Sequence, residues 1–210
     1  MIDVKAMASI KDEFCQILKK INALEFGTFK LPNGKITPYY IDLKLIPSFP
    51  DAFHKVCNMS IRFIEERLGA ESFDRVASIP TAGMAFASVI SYHFNKPFLY
   101  IRQRVKVAGR ERKVEGMLMP GDKVLLIDDL VTTGLSLAKA AAVVRAEGGV
   151  VEDAFVLLDR GEGGREKLAK EGIRLHYLVT MKEAAEKLYE INAITEEQMR
   201  TIISQIKRKG

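Results

Sequence analysis

From Arg75 onward the chain alternates short apolar runs with amphipathic ones, and no other feature restricts its fold as much. Arg75-Val76-Ala77-Ser78-Ile79 precedes a helical stretch, and Phe98-Leu99-Tyr100-Ile101-Arg102 precedes a basic loop. Three further strands follow at residues 123–128, 151–159 and 173–179, the first two each followed by a helix. Strands that alternate with helices specify an α/β fold, a parallel sheet joined by right-handed crossovers with helices on its flanks. Val124 to Ile127 is apolar without a break, as a central strand covered on both faces requires.

The N-terminal part reads differently. Phe14, Ile17, Leu18 and Ile21 predict a helix over residues 9–21. Residues 25–42 predict two short strands around a Pro32-Asn33-Gly34 turn. Pro50 and Asp51 then open a helix carrying Phe53, Val56, Cys57, Ile61, Ile64 and Leu68. Residues 181–208 are helical by pattern. The division is residues 1–45 for the first helix and hairpin and 46–210 for the α/β core with its C-terminal helices, all in one compact unit. A chain of 210 residues, 48% hydrophobic and 28% charged, has the size and composition of one soluble domain. No apolar run approaches the roughly 20 residues that span a bilayer, and Met1 to Phe14 lacks a signal-peptide layout. Cys15 and Cys57 fall on apolar helix faces and read as buried thiols of a reducing compartment, so the expected location is cytoplasmic, with no membrane partner. His54, His93 and His176 show no metal-ligand pairing, and no GxSxG nucleophile motif is present.

In open α/β sheets ligands bind beyond the carboxyl ends of the strands. Four strand ends of this chain carry polar or phosphate-compatible groups: Pro80-Thr81-Ala82-Gly83, Arg102, Asp128-Asp129 and Asp159-Arg160. The net charge of +5 is uneven, with Arg102, Arg104, Lys106, Arg110, Arg112 and Lys113 set against Glu111 alone. Such a loop attracts phosphates. Aromatics are not interleaved with it, which argues against nucleic acid as partner.

Val124 to Ser136 is the most informative segment. A buried strand runs into Asp128 and Asp129, then Leu130-Val131-Thr132-Thr133-Gly134-Leu135-Ser136 opens a helix. Unpaired N–H groups at a helix start cradle an anion. Thr132, Thr133 and Ser136 add hydroxyl donors, and Gly134 permits close approach. The two acids cannot hold that phosphate; they accept hydrogen bonds from a neighbouring diol, or hold Mg²⁺ through water. Helix capping explains one Asp or one Thr but not the whole set. The segment is neither a P-loop nor a GxGxxG turn.

Ile127 to Ser136 resembles the phosphoribosyl-pyrophosphate signature of type I phosphoribosyltransferases. Phe26-Gly27 through Lys35 to Asp42 resembles the N-terminal hood of orotate phosphoribosyltransferases, and Leu158 to Gly164 their later strand-end motif. With Val114-Glu115-Gly116 the resemblance runs from about residue 25 to about residue 181. It implies catalytic roles for Asp128, Asp129, Arg102 and Lys106. Phosphoribosyl pyrophosphate would lie against Thr81, Ala82, Gly83, Arg102, Lys106 and residues 128–136, with the ribose hydroxyls on Asp128 and Asp129 and the 5-phosphate on Thr132 to Ser136. Orotate would meet Thr132 and Arg160 under the main chain of Tyr40 and Ile41; a surface ion pair of Arg160 with Asp159 or Glu162 is the competing reading. Mg²⁺ is the implied cofactor, held by the ligand and through water by Asp128 and Asp129, with no direct protein ligand. The resemblance also implies a homodimer in which loop 102–113 reaches the neighbouring site. There are departures: Gln103, Val107 and Ala108 replace a customary lysine, acid and histidine of that loop, and Pro32 and Ala82 stand where bacterial members often have lysine.

The implied activity is transfer of the phosphoribosyl group to orotate, giving orotidine 5′-phosphate and pyrophosphate. The alternatives are a non-catalytic regulator that binds phosphoribosyl pyrophosphate, and a purine phosphoribosyltransferase.

Overall fold

The computed structural model of the chain describes residues 4–30, 34, 36–102 and 113–209. Helix α1 (Val4–Lys20) leads into the hairpin β1 (Leu24–Lys30) and β2 (Ile36–Ile41). A 3-10 turn (Leu43–Ser48) and helix α2 (Pro50–Arg67) follow, and then β3 (Arg75–Ser78), α3 (Ala82–His93), β4 (Phe98–Ile101) and β5 (Val114–Glu115). The remainder is β6 (Val124–Val131), α4 (Leu135–Ala146), β7 (Asp153–Asp159), α5 (Gly164–Lys170), β8 (Arg174–Thr180), α6 (Met181–Glu190) and α7 (Glu196–Lys209).

The main sheet has the order β5-β4-β3-β6-β7-β8, and β1-β2 is a separate antiparallel pair. Every neighbouring pair in the main sheet is parallel except β4-β5, a short antiparallel edge. The central strand β6 shows why both faces are covered. Side chains alternate along a strand. Leu125 and Ile127 accordingly join the core formed with α1, α2, α3 and α6, around Phe14, Phe63 and Phe86. Val124 and Leu126 join the opposite core, with Leu137, Ala141 and Val144 of α4 and Leu168 of α5.

Three boundaries differ from the sequence expectation. Helix α1 starts at Val4 rather than at residue 9 and closes at Asn22, whose φ of 53° is left-handed. Strand β6 does not stop at Asp128: Asp128, Leu130 and Val131 pair with Val156, Leu158 and Asp159 of β7, so the ladder carries the strand through to Val131. The C-terminal helical stretch is two helices. Asn192 turns left-handed at φ 53°, and Thr195 and Gln198 then exchange hydrogen bonds of 2.9 and 3.2 Å, a capping box that starts α7. Its Thr-x-x-Gln pattern is visible in the sequence.

The cysteines are buried as expected, and burial pushes both thiols up to about 12. Among the described residues no helix is long and apolar enough to cross a membrane.

Candidate active site

The site is built on the last turn of the β6 ladder. Asp128 and Asp129 are partly buried at adjacent positions, and an Oδ1 of Asp128 accepts the Asp129 N–H at 3.0 Å. Burial, reinforced by the neighbouring Asp129 charge, raises the Asp128 carboxyl well above the usual carboxylate range; backbone N–H groups of Asp129 and Gly83 oppose the shift. Burial likewise raises Asp129, against hydrogen bonds and the charge of Lys44. An acid pair raised in this way binds protons, hydroxyl donors or a divalent ion more readily than bulk carboxylates do.

Beyond the acids, Thr132 and Thr133 lead to Gly134, which stands at φ 72° before α4. No side chain caps α4, so its first N–H groups face the cleft lined by Asp128 to Leu137. Thr133, Leu135 and Ser136 are exposed there, while Val131 and Gly134 are buried. The loop is held by a glycine contact between two motifs. A Cβ on Gly134 would stand 2.8 Å from the Gly164 carbonyl oxygen, and one on Gly164 would stand 2.8 Å from the Thr132 carbonyl oxygen. Gly164 therefore packs directly under the Thr132–Gly134 turn.

The neighbouring strand end presses on the acids in the same way. Thr81 is exposed, Ala82 half-buried and Gly83 buried, and the Pro80–Thr81 peptide is cis. A Cβ on Gly83 would meet Asp128 Cα and Oδ1 at 2.7 Å. Arg102 reaches the region from β4. Its guanidinium pairs with Glu115 at 2.6 Å, and it lines a depression shared with Lys113, Leu135, Ser136 and Lys139. Lys106, together with Gln103, Arg104, Val107, Ala108, Gly109, Arg110 and Arg112, lies outside the described residues, as does Pro32.

Arg160 corrects an expectation. The surface ion pair that competed for it is a buried one: Nη2 stands 2.9 Å from a Glu162 Oε1, with side-chain exposures of 3% and 2%. Asp159 is not its partner; Asp159 accepts the Gly161 N–H at 2.9 Å and lies 3.7 Å from Arg165. The guanidinium lies against the ring of Tyr39, 4.7 Å from its centroid, and the Arg160 N–H donates to the Val131 carbonyl at 3.0 Å. The end of β7 and the hood thus meet beside the end of β6. In the hood, Ile41 is buried and Tyr40 half-buried, with the Tyr40 ring 5.6 Å from that of Phe29.

Sequence reasoning missed Tyr39, Lys44 and the role of Glu162. Lys44 donates to the Tyr40 hydroxyl at 2.8 Å, pairs with Asp42 at 3.1 Å, and its charge bears on Asp129. The only signal available for it is a cation directly beyond a hood strand. Among the described residues no three His, Cys, Asp or Glu side chains gather as a metal-binding group.

Residues 51–189 match the phosphoribosyl transferase domain model. An orotate phosphoribosyltransferase of Cenarchaeum symbiosum is 39% identical over 191 residues, covering 91% of this chain and 96% of its own. Among solved structures, an orotate phosphoribosyltransferase of Aeropyrum pernix superposes with a TM-score of 0.75 at 32% identity, over 83% of this chain and 97% of that one. The UMP synthase of Leishmania donovani superposes with a TM-score of 0.84 at 30% identity, over 94% of this chain and 42% of that one. With the acid pair, the hydroxyl loop and the strand-end arginine assembled on one sheet edge, the chain belongs to the orotate phosphoribosyltransferase family.

Proposed function

We propose that the protein transfers the phosphoribosyl group of phosphoribosyl pyrophosphate to orotate, yielding orotidine 5′-phosphate and pyrophosphate. The observation that carries this reading is the meeting of the β6 acids and phosphate loop with Arg160 and the hood residue Tyr39 at one sheet edge.

In this reading the N–H groups at the start of α4 and the hydroxyls of Thr132, Thr133 and Ser136 hold the 5-phosphate. Asp128 and Asp129 accept hydrogen bonds from the ribose hydroxyls and stabilise positive charge as the ring takes on oxocarbenium character. A ring nitrogen of orotate, giving up its proton to solvent or to the departing pyrophosphate, bonds to C1 while the C1–oxygen bond to pyrophosphate breaks, with inversion. Thr81 to Gly83, with Arg102 and Lys106, face the departing pyrophosphate. The raised acid pair fits a divalent ion; Mg²⁺ held by the ligand and through water would neutralise the leaving pyrophosphate. Arg160 reads the anionic edge of the base. The working assembly is a cytoplasmic homodimer in which loop 102–113 reaches the neighbouring site.

The test follows the loss of orotate absorbance with phosphoribosyl pyrophosphate and Mg²⁺, with adenine and hypoxanthine in parallel. Orotate consumption that needs both partners is expected. Faster turnover of a purine would overturn the substrate, and ligand binding with no base consumed would make the protein a sensor instead.

A further inference from the structure

The pair formed by Arg160 and Glu162 is difficult to explain as a stabilising device. Removing two charges from water costs about as much as their attraction returns, so an apolar pair of the same volume would serve the core equally well. The chain nevertheless arranges its backbone to make this contact. Gly161 stands between the two residues at φ 66°, in the left-handed region, which turns the chain so that side chains two residues apart can meet. Its N–H is held by Asp159 at 2.9 Å, and a Cβ there would lie 3.3 Å from Ile206 of α7. The turn is therefore fixed from both sides.

The guanidinium at its centre is constrained in two directions. Glu162 engages it in an ion pair at 2.9 Å, and Tyr39, fully buried on β2, covers a face at 4.7 Å. A guanidinium carries five N–H donors in a planar fork. One carboxylate contact and one ring do not satisfy that fork: neither Nε nor the Nη2 beside Glu162 has a hydrogen-bond partner among the described residues. A carboxylate on one side and an aromatic face on another restrict where the fork can lie. Tyr39 also precedes Tyr40 and Ile41, so the same contact ties the arginine to the hood.

We propose that Glu162 and Tyr39 are positioning residues for base recognition. They orient the Arg160 fork so that its remaining donors meet the carboxylate- and carbonyl-bearing edge of an anionic pyrimidine, and they couple that orientation to the hood. The inference rests on the reading of Arg160 as the residue that contacts orotate. Neither residue touches the reacting atoms, so their loss acts on the base and leaves phosphoribosyl pyrophosphate binding alone.

The experiment is steady-state kinetics of Glu162→Gln, Glu162→Asp and Tyr39→Leu in the full chain, with both substrates varied. Glu162→Gln is expected to raise the KM for orotate roughly ten-fold or more, with the KM for phosphoribosyl pyrophosphate within about two-fold of the parent. Tyr39→Leu raises the orotate KM by about three- to ten-fold, the range of a desolvated cation–π contact. Glu162→Asp, which keeps the charge on a shorter arm, recovers part of the loss. A merely structural role would lower the active fraction and kcat for both substrates without this split. An unchanged orotate KM in a folded Glu162→Gln protein overturns the proposal. If that variant does not fold, Glu162→Asp decides by the same split. A parent protein that consumes no orotate overturns the functional reading itself, and the inference with it.

Discussion

At the end of β6, Asp128 and Asp129 stand together, burial raises both, and among the described residues Lys44 is the cation whose charge bears on the pair. One strand away, Glu162 is at least as deeply buried, yet a guanidinium meets it at 2.9 Å. Acids at two adjacent strand ends thus face opposite fates. An uncompensated acid pair is costly in the ligand-free protein, and that cost is relieved when hydroxyl donors or a divalent ion arrive. A compensated acid has no such demand; what it does is hold its partner in place. Burial alone therefore does not identify a substrate-binding acid. The distinguishing observation is whether the fold has already supplied the opposite charge.

The largest effect should come from the uncompensated pair. Replacing Asp128 and Asp129 with Asn should reduce turnover by at least about 10²-fold, the scale of lost transition-state electrostatics, while the fold is retained by circular dichroism. The same variant should melt at a higher temperature than the parent without ligand at neutral pH. Both carboxyls have folded pKa values raised above their unfolded ones. Their contribution to stability is therefore fully present below the ordinary carboxylate pKa and is lost as pH rises through the raised values. Melting curves across a pH series should show that decline in the parent and not in the double Asn variant. Full turnover in the variant would remove the chemistry from β6 and break the contrast.

The compensated acid should behave in the opposite way. Glu162→Ala leaves Arg160 buried without its ion-pair partner, and urea unfolding should register a loss of about 3–5 kcal/mol. A double Arg160→Met, Glu162→Leu variant should recover most of that stability without recovering orotate turnover. Such a separation of stability from activity would sharpen the distinction between scaffold and site; no loss in the single variant would erase it.

Gly83→Ala comes next. Its Cβ would fall 2.7 Å from the Asp128 backbone, so α3 or β6 must shift. A cost of about 1–3 kcal/mol by thermal melting is expected, with reduced turnover as Asp128 moves. The last strand of the sheet supplies the control. Thr180, at the end of β8, accepts the Glu183 N–H at 3.2 Å in a capping box. Thr180→Ala should cost about 1 kcal/mol and leave both KM values where they are. The smallest effect concerns Cys15 and Cys57, whose thiols burial pushes up to about 12. They should resist a thiol reagent near neutral pH in the folded parent. Their reaction then reports whether Glu162→Ala or Gly83→Ala opens the whole core or only its own strand end.

Period and spacing made the alternating half of the chain legible. The parallel strands, the amphipathic α2 opened by Pro50 and the antiparallel hairpin all stand where the pattern placed them. So does the turn from Asp128 to Ser136 between β6 and α4, because the residues that make it are contiguous and each is chosen by local backbone chemistry. The carboxyl end of β6 was harder to place, since ladder pairing with β7 carries the strand through two acids that local propensity would end it on. The break between α6 and α7 was available in Thr195 and Gln198 but is hidden by the amphipathic pattern on both sides.

The sequence alone therefore determined the fold class, the strand ends that carry the polar groups and the position of the Asp128–Ser136 segment at one of them. All three depend on local periodicity and on residues close together in the chain. Only the tertiary structure decided which acids are compensated. It sets Tyr39 against Arg160 across more than a hundred residues, brings Lys44 to bear on Asp129, and packs Gly164 on the loop at Thr132. Coulombic and packing energies depend on distance in space and on exclusion of water, and neither quantity is written in the order of the residues.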